Sequence, residues 1–253
     1  MKKQILTLVV LLSAVLLTGC EKYKGYEAPF QLVPADKGKM KIVYASAYAL
    51  NRGVQLSIDD VRVSGLVTSR TPFPGGGYNT QGSSFPDYLV VEPGTRKFSI
   101  AIPKAGTNVD SVVLHSGQIN VTANTFQSLY VMDTLANTKL LMVKDDVSMP
   151  GAGKLRFRFV NLMPNAPLLD LYFGTEKVAS SIPYNTEGVV FEMNVPPASL
   201  AWTIREPGSS TVLATYSSAS TIISNRVYTA FAMGYKGATP ANTKPYISFS
   251  LNR

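Results

Sequence analysis

The chain has 253 residues, of which 45% are hydrophobic and 16% charged, and 24 Lys and Arg against 16 Asp and Glu leave it at +8. Disordered chains combine low hydrophobicity with dense charge, so this one folds, and its 19 Gly and 16 Pro lack the three-residue period of collagen. Cys20 is the single cysteine, which excludes a disulfide scaffold.

Taken from the start, Lys2 and Lys3 precede an apolar run from Ile5 to Leu17 broken by Thr7 and Ser13. That run is about half of what a helix needs to cross a bilayer, so residues 1–19 read as a signal peptide. Leu17-Thr18-Gly19-Cys20 resembles the bacterial lipobox. The resemblance implies a lipoprotein: diacylglycerol on the Cys20 thiol, cleavage before it, and acylation of the new terminus by a fatty acid such as palmitate. Each buried CH₂ contributes about 0.8 kcal/mol, so several acyl chains hold a folded body on a membrane. Glu21 is not the Asp that retains lipoproteins at an inner membrane, which favours the outer membrane of the cell envelope, on either face. The mature chain keeps 22 basic and 16 acidic side chains, an excess too diffuse for nucleic acid. Residues 20–37, with Gly25, Pro29 and Pro34, read as a flexible tether that reaches on the order of 55 Å at ~3.3 Å per residue.

Beyond the tether the chain repeats itself. Gly38–Val63 aligns to Gly153–Val178 at a constant shift of 115, with Met40, Ile42 and Tyr44 over Leu155, Phe157 and Phe159. Val54, Leu56 and Ile58 fall over Leu169, Leu171 and Phe173. Apolar residues at every second position mean strands with a buried face. Later segments align at shifts of 104 and 101, putting Phe98 on Trp202 and Tyr130 on Phe231. The drop from 115 to 104 leaves the first copy eleven extra residues, within Thr71–Tyr88. Short alternating strands between Gly, Pro, Asn and Ser clusters predict an all-β protein of two tandem immunoglobulin-like β-sandwich domains, at 38–147 and 152–253. Lys39 and Lys41, matched by Lys154 and Arg156, alternate along the first strand of each copy as charges do on an edge strand.

The second copy opens Arg158-Phe159-Val160-Asn161, continues with Pro164, Ala166, Pro167, Asp170 and Tyr172, and closes Tyr228-Thr229-Ala230-Phe231-Ala232-Met233-Gly234. These motifs resemble the bacterial domain of unknown function 4397. The resemblance implies a sandwich-like fold on exported proteins, often lipoproteins, with no established chemistry. In the first copy Ala49, Arg52 and Gln55 stand where Pro164, Pro167 and Asp170 do, so its membership rests on the repeat. Asn161, Pro164, Pro167, Asp170 and Tyr172 are expected to be structural. In Leu169–Phe173 the odd positions are apolar, so Asp170 is expected to face outward and accept hydrogen bonds from the Pro-rich turn.

Catalytic chemistry finds little support. The lone His115 supplies no serine triad, zinc lacks the ligands it needs, and no phosphate-binding Gly loop precedes a helix, so no cofactor or metal is expected. Asp59-Asp60, Asp145-Asp146, Asp87 and Asp170 are the carboxylates a glycan hydrolase would draw on. Adjacent carboxylates on a strand diverge, so neither doublet makes an acid/base pair. The insertion is the strongest candidate for a ligand site: Phe73, Tyr78, Phe85 and Tyr88 sit on a Gly- and Pro-rich loop, suited to stacking on sugar rings or anchoring a protein, or else to capping the sandwich. Asp110-Ser111-Val112 and Asp133-Thr134-Leu135 resemble O-glycosylation sites of Bacteroidota envelope proteins, at Ser111 and Thr134. The reading is a noncatalytic lipoprotein that binds or adheres to glycan or protein. A structural accessory subunit of an envelope assembly is the alternative, and a carboxylate-based hydrolase a lesser one.

Overall fold

The structure, a computed structural model, describes residues 34–253 except 49, 51, 79–85, 108, 218–220 and 222. The signal segment, Cys20, residues 21–33 of the tether and Phe85 lie outside the described residues.

The protein is all-β, its four sheets forming two sandwich-like bodies. The first body contains β1 (Gly38–Tyr44), β2 (Gln55–Ile58), β3 (Val61–Arg62), β4 (Pro72–Phe73), β5 (Gly77–Tyr78), β6 (Leu89–Val91), β7 (Gly94–Pro103), β8 (Asp110–Val121), β9 (Phe126–Met132) and β10 (Lys139–Lys144). The second contains β11 (Lys154–Asn161), β12 (Leu168–Phe173), β13 (Glu176–Pro183), β14 (Val189–Asn194), β15 (Trp202–Arg205), β16 (Ala214–Tyr216), β17 (Val227–Met233) and β18 (Tyr246–Leu251). The outer sheets run β3-β2-β7-β8 and β13-β12-β15-β16; the inner sheets run β10-β9-β1, with β6 and β4 beyond β1, and β5-β18-β17-β11-β14, where β5 is lent by the chain of the first body. Apart from β4 and β5 these orders are the same strand for strand. Each inner sheet also contains one parallel pair, β1 with β9 and β11 with β17, among antiparallel neighbours.

Three hydrophobic layers follow from the alternation. Met40, Ile42, Tyr44, Leu129 and Val131 meet Leu56, Phe98, Ile100 and Ile119 in the core of the first body. Phe157, Phe159, Tyr228 and Phe249 meet Leu171, Phe173 and Trp202 in the core of the second. Trp202 is wholly buried among Phe157, Phe173 and Phe249, and its indole N–H donates to Thr221 at 3.0 Å. The third layer lies between the two inner sheets, where Val43, Tyr130, Met132 and Val143 pack on Val160, Leu162, Phe231 and Met233. The sheets therefore stack four deep within one compact unit, Ala35–Arg253. Tyr130 and Phe231, equivalent in the repeat, face each other with ring centroids 5.9 Å apart.

This stacking corrects the edge-strand reading of the first-strand lysines. β1 lies between β9 and β6, and β11 between β14 and β17, so neither is an edge. Lys41 points instead into the layer between the bodies and is completely buried.

The family-like motif has a mechanical explanation. The Asn161 amide donates to the carbonyls of Ala166 at 2.8 Å and Ile182 at 3.2 Å, and its oxygen accepts the Met163 N–H at 3.0 Å. That one buried side chain ties the Pro164–Pro167 turn to β11 and β13. Gly234 has φ +94, and a Cβ there would lie 2.2 Å from the Lys244 carbonyl, so only glycine ends β17 in this way.

Candidate functional site

Of the insertion aromatics, Phe73, Tyr78 and Tyr88 fall among the described residues, and the backbone takes them to different strands or strand ends. Phe73 lies in β4, half-buried against the first core, with Phe73 paired to Ile42 of β1. The chain then crosses the seam: Tyr78 of β5 pairs with Phe249 and Gly77 with Ser250, extending the inner sheet of the second body. The Leu251 N–H reaches the Gly76 carbonyl at 3.0 Å. After residues 79–85 the chain returns as β6 on β1. The insertion is thus a clasp that adds strands to both inner sheets.

Tyr88, at its end, is half-buried and packs edge-on against Phe126 at 5.0 Å. Its hydroxyl donates to Asp145 Oδ2 at 3.0 Å, and the Ser128 hydroxyl donates to the same oxygen at 2.7 Å. Asn252 Nδ2 approaches Asp145 Oδ1 at 3.4 Å and Thr229 Oγ1 at 2.9 Å. Lys41 Nζ donates to the Leu251 carbonyl and lies 4.5 Å from the Tyr88 ring centroid. Strands of both bodies, the clasp, the connecting segment and the C-terminus therefore converge on one buried polar cluster.

Burial dominates its electrostatics. It lowers the Lys41 ammonium to about 8, against the opposing pull of Asp145 and Asp87, and it pushes the Asp145 carboxyl up. It also raises the Tyr88 hydroxyl, helped by the Asp145 charge. Each group is driven toward its neutral form, which suits a sealed joint.

Beside this cluster an open cleft of about 690 Å³ runs along the connection between the bodies. Phe126, Asn124, Thr125, Lys144, Arg158 and Glu187 line it. Arg158 fixes its floor, donating to the Glu187 carbonyl at 2.9 Å and the Lys144 carbonyl at 3.2 Å. Lys39 Nζ sits 4.6 Å from the Phe126 ring centroid. Sequence reasoning missed this cleft because it arises only when the two bodies pack. A signal was present: Leu129–Met132 and Tyr228–Met233 are almost unbroken apolar runs, the pattern of strands covered on both faces.

The carboxylates singled out for hydrolysis are dispersed. Asp59 and Asp60 form a tight turn at φ 50 and 64, facing Arg96 at 3.3 Å and Lys97 at 2.6 Å. Asp145 is buried while Asp146 pairs with Arg156 at 2.6 Å, so that doublet diverges. Asp87 is exposed. Asp170 faces away from the core yet is fully covered, a correction to the outward reading. Its Oδ1 accepts the Ser181 N–H at 2.7 Å and its Oδ2 meets Lys177 at 2.6 Å, so its partners come from β13 rather than the Pro-rich turn. Burial alone would raise this carboxyl, but Lys177 and the Ser181 N–H outweigh it and hold it low. Tyr172 lies alongside, with the Arg205 guanidinium 4.6 Å from its ring centroid. Pro164 is half-buried and Pro167 exposed. His115 is half-buried on β8, and burial lowers its imidazole. Ser111 is exposed on β8, whereas Thr134 is half-buried with its hydroxyl 3.2 Å from that of Tyr235. No group of three or more metal-ligating side chains occurs among the described residues.

The family model described as a domain of unknown function (DUF4397) matches residues 38–172, all of the first body and the second as far as Tyr172. No curated protein matches the chain in sequence. Among solved structures, an alpha-glucan-binding streptococcal virulence factor is 10% identical with a TM-score of 0.24, covering 77% of this chain and 92% of its own. A candidate cell adhesion protein of Bacteroides fragilis is 10% identical with a TM-score of 0.22, covering 86% and 98%. One from Bacteroides uniformis is 11% identical with a TM-score of 0.23, covering 85% and 98%.

Proposed function

The chain belongs to the DUF4397 family, and from that premise we propose a lipid-anchored, noncatalytic binding protein of the bacterial outer membrane, whose glycan or protein ligand seats in the cleft at the seam. The observation that carries this reading is the cleft itself. It brings an aromatic ring, an amide, a hydroxyl and charges of both signs to one concave surface held by hydrogen bonds before any ligand arrives. In the same proposal the second body is a second copy of the family domain, supported by the strand orders that match apart from β4 and β5. The anchor is Cys20, supported by the lipobox-like run. The engagement of Asp59, Asp60, Asp145, Asp146 and Asp170 within the fold favours binding over hydrolysis.

A screen of the mature chain against envelope glycans and host glycoproteins tests the reading. Lys144→Glu and Glu187→Lys reverse exposed charges at the cleft and leave the core intact. The expected outcome is a ligand whose capture these changes reduce about tenfold, roughly one lost charged contact. Retention by both variants moves the site elsewhere, and turnover of a captured glycan overturns the noncatalytic reading. A partner protein that survives both changes favours the accessory subunit.

A further inference from the structure

Among the described residues β8 is an edge strand of an outer sheet, with β7 as its only paired strand. It has 12 residues, whereas β16, the equivalent strand of the second body, has 3. The fold therefore closes without a long strand at this position. Proteins blunt exposed edges with charge, brevity, proline or irregularity, because an open ladder pairs with whatever strand arrives. Other edges described here follow that rule: β10 carries Lys139 and Lys144 at its ends, β3 has 2 residues, and β13 has an irregular register and begins Glu176-Lys177. β8 breaks it. Its register is shifted between Ser111 and Leu114, but from His115 to Val121 it pairs with β7 without interruption and carries no Lys, Arg, Asp or Glu. Within the shifted half Val112 is 50% exposed and Val113 59% exposed, and the 3₁₀ turn Leu135–Asn137 contacts β8.

The geometry points to a homodimer in which His115–Val121 pairs antiparallel with the same segment of a second copy, about a two-fold axis at Gln118. The segment is self-complementary in that register. Ile119 and Val121 face the core, so Ser116, Gln118 and Asn120 are the exposed side chains. Antiparallel pairing puts Ser116 of one copy opposite Asn120 of the other and Gln118 opposite Gln118, all able to hydrogen-bond and none a like-charge clash. A charge at position 118 would face its own symmetry mate, and Gln118 avoids that clash. The result is a continuous eight-stranded outer sheet, each copy contributing its four strands.

Sedimentation of the mature chain carrying Cys20→Ser measures the association directly, since that background holds no other thiol. Facing Cα atoms in antiparallel pairs lie about 4.5–5.5 Å apart, within disulfide reach. Gln118→Cys is therefore expected to form a disulfide dimer under mild oxidation, while Ser116→Cys alone is not and Ser116→Cys with Asn120→Cys is. Gln118→Lys, exposed and harmless to the core, is expected to weaken the dimer about fivefold while leaving the melting temperature unchanged at dilutions where the chain is monomeric. A monomer at every concentration overturns the inference, and so does a dimer in which Gln118→Cys fails to link or which Gln118→Lys leaves unchanged.

Discussion

Lys41 is a completely buried lysine between the two bodies. A lysine lowered to about 8 in the fold but ordinary at 10.5 when unfolded binds fewer protons in the native state between those values. Stability therefore rises with pH across that window, by on the order of 3 kcal/mol from this group. From 10.0 upward a second effect opposes this gain, because unfolded tyrosines ionise while burial keeps Tyr88 and Tyr130 protonated. Asp145 works in the opposite sense at acid pH. Its folded carboxyl keeps its proton above 3.8, so stability falls as pH climbs out of the carboxylate range. Denaturant titrations between pH 8 and 10 should show the alkaline rise in the wild type and a flat profile in Lys41→Met. An undiminished rise in that variant would place the titrating group elsewhere. Nothing in the sequence announced this role: Lys41 alternates with apolar neighbours as an edge lysine does, and only the second body packing on its face buries it.

At the level of elements, the alternating strands and the eleven-residue surplus were legible, because period-two patterning and turn residues are local properties. The destination of the surplus was not. Gly77 and Tyr78 pair with β18, which lies over 170 residues away in sequence, and no local pattern encodes such a partner. The motif at Asn161 shows the same boundary: its position was visible, while its bonds to Ala166 and Ile182 needed the folded turn. Excising residues 75–86 and joining the ends with a short Gly-Ser bridge removes the clasp. The expected cost is about 1–3 kcal/mol, a few backbone hydrogen bonds. Faster amide exchange should follow at Phe249 and Leu251, the β18 residues beside β5, with exchange in β15 unchanged. Uniform exchange in both strands would mean that the clasp contributes nothing to the seam.

For the whole molecule, the repeat was readable but its consequence was not. Two sandwiches on one chain need not touch. Here equivalent inner sheets face each other, so Tyr130 meets Phe231 and the strands behind them are covered on both sides. Phe231→Ala leaves a cavity between the bodies and should cost about 3–5 kcal/mol. Calorimetry should show one transition in the wild type and a single, lower transition in this variant. Two separated transitions in the wild type would mean that the bodies fold independently. The seam also makes the cleft, and the proposed function stands on that cleft. The most direct measurement is amide hydrogen exchange of the mature chain with and without a ligand captured in the glycan and glycoprotein screen. The account predicts slower exchange at Asn124–Phe126, Lys144–Ser148 and Glu187. Protection confined to β8 or to the outer sheet of the second body would contradict it.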